Sequence, residues 1–320
     1  MSAKLLITYY GDVTSGATDP ASPVGGDVWF NTTDQVYKAY KFLQYGTAVW
    51  ITSPSLTQGR FTHCCFGSRD SGYCVGGHAT SGDYSTTTEF YDGVSWSASY
   101  STVVGSSEFA GFGTGASIIK CGGYASAVDA EEFDGLSWSS ISSIPIGRRA
   151  AGACGSVNAN LLVGGIISGA ASTNCQQLLG STWSNTGSLN TARNSLAVFG
   201  TSSDAISVCG TTGATAVSTV EIYNGITWNS SQSANFADFH THGVGTPSNG
   251  LRIGGNDNTN SCEHFDGVAW TTQTNILTNT SNNSSIGGPQ SAISAGASYK
   301  SLVCNQYDSP AELYSEDLIL

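Results

Sequence analysis

Six tryptophans, Trp50, Trp96, Trp138, Trp183, Trp228 and Trp270, recur every 42 to 46 residues along the chain. A period in the forties, with one tryptophan and a glycine pair per unit, restricts the chain to a repeat architecture. Each unit is a small sheet that cannot bury its own faces, so neighbours must stack on it. Within each unit an apolar run closes on glycine: Tyr73-Cys74-Val75-Gly76-Gly77, Ile119-Lys120-Cys121-Gly122-Gly123, Leu161-Leu162-Val163-Gly164-Gly165 and Leu251-Arg252-Ile253-Gly254-Gly255. In the fourth unit Gly210-Thr211 stands in for the glycine pair. These runs read as short strands buried on both faces.

A hairpin follows, Glu89-Phe90-Tyr91-Asp92-Gly93-Val94-Ser95-Trp96 in the first unit, with the same pattern ending at Trp138, Trp228 and Trp270. Asp-Gly or Asn-Gly between apolar residues predicts a type I′ turn, whose two central residues need positive φ. Gln176 to Trp183 is a worn copy with Leu179-Gly180 at the turn. The last unit supplies Ser301 to Cys304 and Glu312 to Tyr314 and then stops before any tryptophan strand, whereas Tyr45 to Trp50 has such a strand with no unit before it. Pairing the two closes a ring and removes its open edges. The expectation is an all-β chain: a six-bladed propeller over residues 46–320, closed by an N-terminal strand, behind an arm and β-hairpin at residues 1–45.

Three features, the Arg-x6-Gly segment (Arg60 to Gly67, Arg148 to Gly155, Arg193 to Gly200), the run ending in Gly-Gly and the Glu-x-Tyr-Asp-Gly…Trp hairpin, resemble kelch-type β-propellers. In two units Glu108 and Asp238 replace the arginine. The resemblance implies that Arg60, Glu108, Arg148, Arg193 and Asp238 lie near the central channel or one mouth. There they would form a ring of interblade ion pairs and backbone hydrogen bonds, or a polar pocket in which arginine forks hold a carboxylate, sulfate or sugar. Glu89, Glu131 or Glu132, Glu221, Glu263 and Glu312 recur in the third strand, with Gln176 in the remaining unit. Recurrence in every blade points to architecture, because a catalytic carboxylate pair must flank one bond at one place.

The balance of 23 acidic against 11 basic residues, with no basic run, argues against a nucleic-acid partner. No apolar stretch is long enough for a membrane span, and Met1 to Tyr10 lacks the pattern of a signal peptide. The expected location is the cytoplasm or an assembled particle, without membrane insertion. Nine cysteines without a CxxC spacing read as small buried hydrophobes rather than a zinc site, and no cofactor is expected. His240-Thr241-His242, with His264 later in the same unit, places two imidazoles at i and i+2. That spacing fixes no third metal ligand, so packing is the expectation. No GxSxG, HExxH or Walker motif occurs, and the hairpins lack Asp-box spacing, so a non-enzymatic protein is expected. The alternatives are a carbohydrate-active or oxidising propeller enzyme and a cellular kelch adaptor.

Ahead of the repeat, Lys4 to Tyr10 reads as a strand, Gly11 to Gly26 as a loop and Gly26 to Tyr40 as a hairpin. The stretch Gly-Asp-Val-Trp-Phe-Asn-Thr-Thr from Gly26 resembles short modules of bacteriophage tail-fibre and virion proteins. It implies that Leu5, Ile7, Tyr9 and Trp29 attach the propeller to other virion subunits; the other reading is a cap on the propeller. The chain is then expected to be a tail-fibre, tail or capsid-decoration component that presents its propeller to a host-surface glycan or to neighbouring subunits.

Overall fold

The computed structural model describes residues 54–275 almost continuously, apart from 69–70, 80–81, 116, 214, 257–259 and 274, together with strands at 14–16, 28–31, 36–39, 49–53, 300–303 and 311–315. The described residues are all-β, without a helix, and form a β-propeller. Two units are present, Met1–Thr47 with Asp317–Leu320, and Ala48–Glu316. In the first, Val28–Asn31 pairs antiparallel with Val36–Ala39, which is the hairpin read from the sequence, and parallel with Thr14–Gly16. Leu5, Ile7 and Tyr9 lie outside the described residues, as does the side chain of Trp29.

Five four-stranded antiparallel blades are described where the tryptophans predict six. Their innermost strands are Cys64–Ser68, Ala110–Thr114, Gly152–Ser156, Ala197–Gly200 and His242–Thr246, and consecutive ones pack against each other around the ring. Each is followed by a second strand, a third strand and an outer strand that carries the tryptophan. The sixth tryptophan strand, Val49–Ser53, belongs to a three-stranded sheet instead. It pairs with Ala311–Ser315, which pairs with Lys300–Val303, and Trp50 stands opposite Tyr314. The closure by an N-terminal strand is therefore present, but the sixth unit contributes three described strands, since most of residues 274–299, where its innermost strand is expected, lie outside the described residues.

The core lies between blades rather than within them. Trp138 of blade 2 packs on Cys64, Phe66 and Tyr73 of blade 1, and its indole N–H donates to Thr88 Oγ1 at 3.0 Å. Trp228 packs on Cys154 and Leu161 of blade 3, and Trp270 on Ala197 and Phe199 of blade 4. Trp96, Trp138, Trp228 and Trp270 also meet an aromatic ring across their own hairpins, as Tyr91 with Trp96 (ring centroids 5.1 Å apart) and Phe265 with Trp270 (4.9 Å), whereas Trp183 stands opposite Leu178.

The hairpins are not type I′. Tyr91 pairs with Trp96, leaving a four-residue loop in which only Gly93 has positive φ. Asp92 Oδ1 accepts from the N–H groups of Val94 (2.9 Å) and Ser95 (2.7 Å), so the carboxylate itself closes the turn. Asp134, Asn224 and Asp266 repeat this arrangement. Those backbone donors hold the carboxyls of Asp92, Asp134 and Asp266 below the usual aspartate range.

Two positions of the repeat shift register. The glycine closing the innermost strand has φ near +106° at Gly67, +102° at Gly155, +112° at Gly200 and +111° at Gly245, and in blade 2 the residue with this conformation is Gly113 (+115°), not Gly115. The unit therefore aligns Ser106, not Glu108, with Arg60. In blade 4 the glycine pair is Cys209-Gly210, with Cys209 at φ +60° where the other blades have glycine.

Candidate functional site

The recurring third-strand glutamates and the arginines of the repeat form one buried clamp per blade. Arg193 is fully buried and donates to the Cys209 carbonyl (2.8 Å), the Thr219 carbonyl (2.9 Å), Ser207 Oγ (2.6 Å) and Glu221 Oε1 (2.9 Å). Glu221 in turn accepts from the N–H of Asn190 (2.7 Å), in the link arriving from blade 3. Arg60 repeats the pattern with the Gly76 and Thr87 carbonyls and Glu89, which accepts from Thr57 N. In these two blades the glutamate thus ties an incoming link to its blade while the arginine ties the link to the carbonyl that follows the second strand. A charged pair removed from water needs this saturation by hydrogen bonds.

Where the arginine is replaced, the cation comes from elsewhere. In blade 2 Lys120 stands opposite Glu131 on the neighbouring strand and donates to Glu131 Oε1 and the Val104 carbonyl, both at 2.7 Å. Burial pushes the Lys120 ammonium below the usual lysine range, and Glu131 opposes the shift. Arg252 fills the same place in blade 5, opposite Glu263, with Nε 2.7 Å from Glu263 Oε2 and Asp238 Oδ2 3.8 Å from Nη1. The clamp carboxylate is Glu131 and not its half-buried neighbour Glu132. Blade 3 keeps Arg148 but has Gln176, whose Oε1 accepts at 2.8 Å.

Arg60, Arg148, Arg193 and Asp238 therefore serve as buried clamp residues in the links, and Glu108 is the one of the five among the described lining residues of the channel cavity. Thr62, Glu108, Ala150, Ser195 and His240 occupy one position of successive blades with φ of 51–56°. The N–H of Glu108 donates to the Thr62 carbonyl (3.1 Å), Ala150 to Glu108 (2.7 Å), Ser195 to Ala150 (2.8 Å) and His240 to Ser195 (2.8 Å). This chain of backbone bonds rims an open-ended cavity lined by the innermost strands.

The side chains at the rim do not repeat. Glu108 pairs with Arg149, whose guanidinium lies 5.0 Å from the centre of the exposed Tyr124 ring. Tyr124 is 6.0 Å from Tyr84, which meets His78 edge-on at 5.3 Å, and His78 packs on Phe61 at 4.7 Å. Burial lowers the pKa of His240 against the opposing fields of Glu108 and Asp238. His240 Nδ1 and Thr241 Oγ1 are buried without a hydrogen-bond partner among the described residues. The mouth thus offers an aromatic platform, one guanidinium–carboxylate pair and unmatched polar atoms behind it. Glu108 is the single carboxylate among the described lining residues of the cavity.

The imidazoles of His240, His242 and His264 do not converge. The innermost strand starts at His242, His240 lies in the left-handed turn before it, and His264 Nε2 is 2.9 Å from Asn249 Oδ1 on the adjacent strand. Lys120, Arg149 and Arg252 were missed from the sequence. The first and last were findable, because each recurring glutamate demands a buried cation and these stand directly across the strand pair. Comparison with models of protein families and with curated proteins finds no match for this chain.

Proposed function

We propose that the protein is a non-enzymatic interaction propeller, a virion component that binds other subunits through one face and a host-surface glycan at the channel mouth. The observation that carries this reading is a set of exposed aliphatic side chains at one turn position: Val94, Leu136, Ile226 and Val268 are 75–80% exposed. The turn requires its Asp or Asn and its glycine; nothing in it requires an aliphatic residue. Four such tips on one face favour contact with a broad partner surface. Strand direction alternates within a blade, so these turns lie on the face opposite the links that form the channel mouth.

The kelch-like motifs and the phage-like stretch from Gly26 support the same reading. Stacked aromatic and planar charged groups beside unmatched hydroxyl and imidazole atoms suit the alternating apolar and polar faces of a sugar. Screening the full chain on a glycan array is the test, with Tyr124→Ala and Arg149→Ala as variants. Binding lowered at least tenfold in both variants is the expected result. Silence across the array would remove the glycan and leave subunit contact.

A further inference from the structure

A repeat protein carries its own controls, since whatever one blade has and the others lack is not demanded by the fold. Three equivalent positions distinguish blade 1. They hold His63, Cys65 and Cys74, where blade 2 has Phe109, Gly111 and Lys120, blade 3 Ala151, Ala153 and Leu162, and blade 4 Leu196, Val198 and Ser207. Cys65 and Cys74 stand directly opposite each other on paired strands, and His63 precedes Cys65 by two residues on the same side. All three are buried, and their ligand atoms lie within 4.8 Å of one another. Both ring nitrogens of His63 are buried with no hydrogen-bond partner among the described residues. A buried imidazole left unmatched is costly, and a metal ion removes that cost.

We propose that His63, Cys65 and Cys74 bind a thiophilic metal ion, Zn²⁺ foremost, at the seam where the propeller closes. Around a tetrahedral zinc, with bonds of about 2.0–2.3 Å, neighbouring ligand atoms come to roughly 3.5–3.8 Å from each other. The three groups need to draw together by about an ångström, within the reach of side-chain torsions. On binding, both thiols lose their protons to solvent and two S–Zn bonds and one N–Zn bond form. The site's position gives it a purpose. A Cβ at Gly111, the blade 2 counterpart of Cys65, would meet Phe66 of blade 1 at 2.4 Å, so this strand position looks toward the preceding blade. For blade 1 the preceding element is the closing sheet, whose strand Lys300–Val303 packs beside Cys64–Ser68. A metal here stiffens the blade 1 strand that packs beside this closing sheet.

The test is Co²⁺ and Zn²⁺ titration of the reduced, metal-free full chain. Expected are a thiolate-to-cobalt charge-transfer absorption that saturates at about one ion per chain, and a Zn²⁺-dependent rise in unfolding midpoint of roughly 5–10 °C at a hundredfold excess over the dissociation constant. Cys65→Ser and Cys74→Ser should each abolish the absorption, while Cys175→Ala, in blade 3, should retain it. If the serine variants do not fold, His63→Gln, which keeps both thiols, should weaken binding at least tenfold. The proposal is overturned if the folded chain gives neither band nor midpoint shift. It is equally overturned if the band survives His63→Gln or the serine changes undiminished, or if the native thiols prove to be joined as a Cys65–Cys74 disulfide.

Discussion

Arg148 shows how far a single residue can depart from its counterparts and keep its place. Its partners are all neutral oxygens, the Gly164 carbonyl at 3.0 Å, the Asn174 carbonyl at 2.9 Å and Gln176 Oε1 at 2.8 Å among them. Burial accordingly lowers its pKa, though not enough to discharge a guanidinium. Arg193 carries the same geometry with a carboxylate, Glu221, added. Glu221→Ala leaves that guanidinium buried and unbalanced, and we expect a loss of about 3–5 kcal/mol in urea unfolding. Glu221→Gln reproduces the arrangement of blade 3 and should cost less than half as much. Equal losses for the two variants would mean that charge, not hydrogen-bond capacity, is what the clamp requires.

At the scale of the element, strands and their order were legible because their signals are local: apolar runs, turn residues and the tryptophan period each report a few neighbouring positions. Legibility failed where a long-range partner sets the register. Glu108 followed the arginine spacing in the chain, but Gly113 holds the turn that defines the blade, since a Cβ there would lie 2.2 Å from the Ser117 carbonyl oxygen. The hairpin loops failed differently, because Asp-Gly matched a backbone rule while the aspartate side chain closed the turn. The channel rim was illegible because it joins one residue from each of five units. Glycine effects separate the two constraints. Gly169→Ala, at φ +86° with no atom within 4 Å of an added Cβ, should cost about 1–2 kcal/mol from backbone strain alone. Gly155→Ala, at φ +102° and 2.3 Å from the Ala159 carbonyl oxygen, should cost at least twice that by chemical denaturation; equal costs would remove close strand approach as the reason for this glycine.

For the whole molecule the decisive contact is the least repetitive one. Blades held by interblade cores behave as a chain of nearest-neighbour interfaces, and an open chain of this kind frays from its terminal units. The pairing of Val49–Ser53 with Ala311–Ser315 joins distant parts of the sequence, so loss of the last sheet requires loss of the first strand as well. Truncation tests this directly. Removing residues 1–47, the whole N-terminal part of the other unit, should leave the unfolding of Ala48–Glu316 cooperative. Extending the deletion through Ser53 takes away the closing strand. The unfolding midpoint should then fall by roughly 10 °C, as each kcal/mol is worth about 2–4 °C in a domain of this size, and hydrogen exchange should quicken first at Lys300–Val303 and Cys64–Ser68. If both truncations unfold alike, the ring holds without its closing strand, and the interblade cores alone account for its integrity.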